Sequence, residues 1–330
     1  MRLTWLLLLV VALTACPKSD QSLVLVGGEK IDAARIDNAP LDLLPSGALF
    51  IGKLDAPALF NSSMGPHVAQ IVKNVLPLGP ESNFVANRDL RHIYNAVYAM
   101  QGADFVAVLQ GNFDVNAIQR AAAARSQTPS GVPLVHTRYG DYDIYTVANV
   151  GFVLLTPRTV LSGNETGMRR ALDRLRYGRL ETSIAPWMDE LLANEKAAFA
   201  MVGDVSGQGV VTAFGDRLPF VSGLNLLRVM GNFQTPGMNV VGSLTYADEE
   251  RAAQGAVALG QIKELAFLAS LIATWGLGAQ TPEIQVVQQR TNVAFATSFD
   301  TATVGVLLGF IAQLTTPGQT PRPGAWWWGG

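Results

Sequence analysis

The side chains best equipped for chemistry crowd into one stretch: His136, Arg138, Tyr139, Asp141, Tyr142, Asp143 and Tyr145, on either side of Gly140. Strand alternation puts His136 and Arg138 on one face. A carboxylate returning on the next strand would then orient the imidazole as a general base requires. The other two histidines, His67 and His92, stand at no ligand spacing from each other, from His136 or from the single cysteine. Neither HExxH nor CxxC occurs, so there is no local zinc signature, and no metal or cofactor is expected. Gly47 to Lys53 fits most of a phosphate loop, but Leu54 stands where Ser or Thr must reach magnesium, and the middle of the stretch is an apolar strand. No GxGxxG opens a helix, and Ser206 between Gly203 and Gly207 has the wrong spacing for a nucleophile elbow. No catalytic residue is assigned on this basis. The His136 hairpin reads first as a solvated edge, with a hydrolase as the enzymatic alternative.

A different chemistry belongs to Cys16. Met1-Arg2 supplies a positive start, Trp5 to Leu13 an unbroken apolar run, and Ala15 a small residue before the cysteine. The run is shorter than the about 20 apolar residues a permanent span requires. Leu13-Thr14-Ala15-Cys16 resembles the bacterial lipobox. The resemblance covers only this leader region, and nothing in the mature chain resembles a characterised family. It implies that residues 1–15 are a signal peptide cut away before Cys16, that the thiol is diacylated, and that the new amino terminus is acylated in turn. With Pro17 rather than Asp after the cysteine, it further implies sorting to the outer membrane, facing the periplasm. Cys16 is the only cysteine, which excludes disulfides within the chain. Two or three acyl chains hold a protein firmly where one binds marginally.

Charge and composition narrow the partners. Arg2 is the only charged residue in 1–15, so removing the leader makes the balance of 24 basic against 26 acidic residues one unit more negative. Nucleic-acid binding rests on clustered Lys and Arg and is not expected. Only 15% of residues are charged, against about 25% in an ordinary globular chain, so much of the surface is neutral or apolar.

The elements that must position these residues read as one pattern written twice. Residues 16–46 are a tether with one docked segment, Leu23 to Val26; residues 47–180 and 181–316 are two similar α+β units; residues 317–330 are a Pro-, Gly- and Trp-rich disordered tail. Ala48 to Lys53 matches Ala198 to Gly203, and Tyr142 matches Asn292, both at a spacing of about 150 residues. Strands are predicted at 93–100 and 105–109, echoed at 226–233 and 240–244. Asp114 and Asp248 then cap helices over 115–125 and 249–274. Two strands follow each helix, 133–138 with 142–148 and 284–290 with 293–299, and a helix closes each unit, 166–177 and 301–314. The first unit gains a strand at 151–156. Short turns between paired strands require antiparallel pairing, so each unit is expected to be a mostly antiparallel sheet with helices on one face. Between the units the apolar pattern recurs while polar positions differ.

In the first closing helix Met168, Ala171, Leu172 and Leu175 form one apolar stripe. Ser162 to Glu165 has capping-box spacing and Gly178 a stop signal. The opposite face, Arg169, Arg170, Arg174 and Arg176, is expected to be solvated. The second unit is greasier: Leu265 to Pro282 and Thr301 to Leu314 contain no charge. These features favour a lipid-anchored, non-enzymatic binding or interaction module. A carrier of lipid or another hydrophobic ligand is the alternative within binding, and an envelope hydrolase the alternative outside it.

Trp326, Trp327 and Trp328 end the chain, save for two glycines, on a segment without periodicity. Trp concentrates at the headgroup level of bilayers, and a tethered tail meets its bilayer at high effective concentration. Tryptophan emission of the unacylated protein should shift blue when liposomes are added, and truncation after Pro323 should abolish the shift; an unaltered shift in the truncated protein would leave the tail without a membrane role.

Overall fold

The computed structural model describes residues 31–75, 78–98, 104–128, 132–181, 183–206, 219–261 and 283–302, with 304, 305 and 308. The leader, Cys16, Leu23 to Val26, most of the two uncharged stretches and the Trp tail lie outside the described residues.

The fold is α+β, built on one large antiparallel sheet. Among the described residues twelve strands run β1 (Phe50–Asp55), β2 (Leu90–Tyr98), β3 (Asp104–Gly111), β4 (Leu134–Tyr139), β5 (Tyr142–Val147), β6 (Val150–Leu154), β7 (Thr159–Asn164), β8 (Phe199–Asp204), β9 (Leu224–Asn232), β10 (Gly237–Tyr246), β11 (Ile284–Gln289) and β12 (Asn292–Asp300). Their spatial order is β11-β12-β10-β9-β8-β1-β2-β3-β7-β6-β5-β4. β1 and β8 meet at the middle, with Phe50 opposite Gly203 and Leu54 opposite Phe199. Gly203 is required there, because a Cβ would come within 2.6 Å of the Phe50 ring. Two sheets side by side were expected; this pairing makes them one.

Alternation along the strands splits the core in two. Val108, Ile144, Val153 and Leu161 face α6 (Glu165–Arg176) and α7 (Pro186–Leu192), while their neighbours Leu109, Tyr145, Phe152 and Val160 face α5 (Val115–Ala123) and the short helices α2 (Ala56–Phe60), α3 (Gly65–Val75) and α4 (Ala86–Asp89). Register carries this parity across the centre: Phe50 opposes Gly203, then Leu227, Leu244 and Val293. A third cluster, with Ala252 and Leu259 of α8 (Glu249–Gly260), therefore lies on the α5 side. Helices on one face of each unit were expected. The correction follows from the strands themselves, which are apolar at consecutive positions such as Phe152-Val153 and Val160-Leu161 and need cover on both sides.

The closing helix of the first half begins differently from the capping-box reading. Ser162 stays in β7, and Asn164 is the N-cap: its Oδ1 accepts from the N–H groups of Gly167 at 3.1 Å and Phe105 at 3.2 Å, and its Nδ2 donates to Asp104 Oδ1 at 2.8 Å. The apolar stripe is as expected, with Met168, Ala171 and Leu172 almost wholly buried, each large side chain contributing roughly 1.5–3 kcal/mol.

The arginine face is not simply solvated. Arg169 lies 4.7 Å over the Tyr139 ring and Arg170 4.4 Å over Tyr98, and Arg174 donates to Asp42 O at 2.7 Å and to Glu181 O. The reason is that an N-terminal segment occupies that side. It contains α1 (Ala33–Asn38) and a 3₁₀ turn at Pro40–Leu43, and it buries Leu43 and Leu44 completely. Asp37 Oδ1 accepts from Thr159 Oγ1 at 2.7 Å and Thr156 Oγ1 at 2.5 Å, and Gln110 Nε2 donates to Asp37 O at 2.5 Å.

Asn164 joins two elements and satisfies a buried carboxylate. Asn164→Ala should cost about 1 kcal/mol for the cap and about 1–3 kcal/mol more for leaving Asp104 without its donor. Urea unfolding would measure the loss, and an unchanged midpoint would refute this account of the junction.

Candidate functional site

The hairpin singled out by its polar residues is β4–β5, with Gly140 at positive φ in its turn. Register pairs Tyr139 with Tyr142, Arg138 with Asp143 and His136 with Tyr145. His136 Nε2 lies 2.9 Å from Asp143 Oδ1, so the carboxylate does orient the imidazole. The ring stacks on Tyr145 at 4.8 Å, and Tyr145 stacks on Phe152 at 5.3 Å. The pair is open to solvent, 53% exposed at His136 and 39% at Asp143. Among the described residues no hydrogen bond links the second imidazole nitrogen to a hydroxyl, and β4 is the last strand of the sheet. Tyr139 and Tyr142 turn to the opposite face, where the Tyr139 hydroxyl donates to Asp173 Oδ1 at 2.8 Å. Alternation thus divides the constellation in two. What stays together is a hydrogen-bonded, solvent-exposed pair on the last two strands of the described sheet.

The other candidates lie apart. Phe50 to Lys53 of the loop-like Gly47 stretch form the centre of β1, with strands on both sides. Ser206 Oγ donates to Asp204 Oδ1 at 2.5 Å. His67 is on α3 and His92 on β2. Among the described residues no three His, Cys, Asp or Glu side chains gather to hold a metal.

The structure adds a site that sequence reasoning missed. Beneath α5, on the face that carries Phe152, is a cavity of about 270 Å³ walled by Leu109, Phe113, Ile118, Phe152 and Leu154, with Leu78 and Phe84 closing its flank. A second hollow of about 330 Å³ adjoins it and shares Leu78 and Phe84. The uncharged stretches of the second unit, which prompted the carrier reading, lie mostly outside the described residues; this cavity is in the first half of the chain. Its walls come from five separated stretches, none unusually apolar. The legible signal was local: Val150, Phe152 and Leu154 alternate along β6 over the small residues Gly151 and Ser162.

No family model and no curated protein matches this sequence. Solved structures of similar fold include crystal forms III and I of TP0453. Each is 13% identical, spans 83% of this chain and 97% of its own, and gives a TM-score of 0.50. A likeness at that identity concerns the fold alone.

His92 offers a test of site electrostatics. Its Nδ1 is buried without a hydrogen-bond partner. Burial lowers the pKa of the ring; the Asp55 carboxylate opposes this, and Lys53 and Arg91 add to it. The unfolded chain therefore takes up the proton first as pH falls past about 6.5, and stability declines from there down to the lowered pKa of the folded ring, where the loss is complete. Urea midpoints at about pH 7.5 and about pH 5 should differ more for the wild type than for His92→Gln; equal differences would assign the acid sensitivity elsewhere.

Proposed function

We propose that this chain is a lipid-anchored protein of the bacterial cell envelope, held by acylated Cys16, facing the periplasm from the outer membrane, and working there by binding rather than by catalysis. The observation that carries the anchor is Leu13-Thr14-Ala15-Cys16 at the end of an apolar leader, with no other cysteine to explain. No described helix is long and apolar enough to cross a membrane. The preference for binding is supported by the setting of His136: oriented by Asp143, yet exposed on an edge strand with no hydroxyl bonded to it among the described residues.

A carrier of hydrophobic ligands is the second reading, and the cavity under α5 favours it. Its lining among the described residues is apolar except for Ser162.

The scaffold is proposed to be two tandem α+β units. Outward from the central pair, β1-β2-β3-β7 and β8-β9-β10-β12 follow the same order, and β3 and β10 each lead into a helix on the same face. In this alignment β12 takes the place of β7 and β11 that of β6, which replaces the match of Tyr142 with Asn292 that spacing alone suggested. The His136 hairpin, β4–β5, is then an addition to the first unit, which accounts for its polar residues having no counterpart at Gln288 to Asn292.

Radiolabelled palmitate should enter the wild type and not Cys16→Ser, which should also accumulate with its leader uncut. A wild-type protein that is soluble and unlabelled would refute the anchor and the localisation built on it.

A further inference from the structure

The cavity beneath α5 has one closed end and one open end. At the closed end the Phe113 N–H donates to Pro157 O at 2.8 Å and the Gly111 N–H to Arg158 O at 2.9 Å. These bonds stitch the loop after β3 to the turn between β6 and β7, and Phe113 and Val160 are buried there. At the other end Val150 is 43% exposed, beside the exposed turn residues Ala148 and Asn149. Val150 and Leu154 both line the cavity, and four residues of strand separate them by about 13 Å.

Among the described residues no charged side chain lines this space. Ser162 is the only polar side chain among the described lining residues, and its hydroxyl is already committed, donating to Gly151 O at 3.0 Å. A polar group entering would lose its water and gain no partner, which is costly; a hydrocarbon group entering leaves water behind, which is favourable. The volume of about 270 Å³, at ~30 Å³ for each water-sized group, accommodates about nine methylenes. Spread over about 13 Å of strand, that volume leaves a cross-section of roughly 20 Å², the width of one alkyl chain and too narrow for two.

We propose that the cavity binds a single linear alkyl chain of about nine carbons, with the methyl end against Phe113 and the polar head in solvent beside Val150. The proposal rests on the carrier reading and narrows it, from any hydrophobic ligand to one acyl chain. The chain belongs to a free fatty acid or to one arm of a membrane lipid, whose second arm stays outside.

Calorimetric titration of the full chain carrying Cys16→Ser, with saturated fatty acids from hexanoate to tetradecanoate, tests it. Affinity should rise roughly fourfold per methylene and level off once the cavity is full, at about ten carbons. Ser162→Phe, which fills the floor, should abolish decanoate binding. Val150→Asp places a charge at an exposed position where folding is not at stake, and it should weaken decanoate at least about tenfold, because the chain must pass a carboxylate. Native mass spectrometry after incubation with phosphatidylglycerol vesicles separates the sources: a one-to-one lipid adduct identifies the membrane, and an adduct with decanoate alone the free acid. Affinity that keeps climbing all the way to tetradecanoate, or that ignores both substitutions, overturns the proposal. If no fatty acid binds but the compact apolar probe 1-aminoanthracene does, and Ser162→Phe removes it, the single-chain inference falls and the carrier reading stands. If neither binds, both fall.

Discussion

The antiparallel pairing of β1 with β8 is the constraint on which the rest of the architecture hangs. It is the one ladder in the described sheet that joins strands from before Leu192 to strands from after it. The flanking bonds extend it at both ends, with the Asp55 N–H donating to Ala198 O at 2.7 Å and the Asp204 N–H to Leu49 O at 3.2 Å. Each bond adds only about 0.5–1.5 kcal/mol net, but leaving buried strand groups unpaired would cost more. Because each central strand also pairs on its other side, neither half has a free edge at the middle. The faces are then fixed across the molecule: Phe50 and Ile51, adjacent in sequence, belong to different cores, and every strand further out inherits that choice through its register.

Much of this was legible in the sequence, because antiparallel strands with short turns leave strong local marks. Every described strand but β7 falls within a few residues of its expected place, and Asp114 and Asp248 cap the helices predicted for them, accepting from the N–H groups of Ala117 and Arg251. β7 was missed because it has no turn at its end: Asn164 is both its last residue and the cap of α6, so Ser162 looked like the start of a helix. The role of the α6 arginines was missed for another reason. Periodicity shows which face is charged but not what lies on it, and here a segment more than a hundred residues upstream supplies Asp42 O and Ser46 O as acceptors. Alternation placed a carboxylate of the return strand near His136 and its polar residues marked the hairpin as a solvated edge; the register identifies the carboxylate as Asp143, and the strand order puts β4 at the end of the described sheet.

The polar hairpin and the apolar cavity are also neighbours. Phe152 is a wall of the cavity and the last ring of the stack through Tyr145 to His136. The face carrying α5 therefore grades from hydrocarbon to an ionisable edge within three adjacent strands, β6, β5 and β4. The hairpin and the cavity share one row of stacked aromatic side chains, Tyr145 and Phe152.

The docking of residues 32–46 also determines how the protein bears load. Any pull on the amino terminus meets Asp32 capping α1, then Arg35 bonded to Leu180 O, Asp37 knotted to Thr156 and Thr159, Asp42 held by Arg174, and Pro45 O held by the Tyr98 hydroxyl. All of these come before β1 begins at Phe50. Tension is thereby spread in parallel over α6, β7 and β2 and kept away from the central ladder, so the fold has a built-in strain relief between residue 32 and the strand it can least afford to lose.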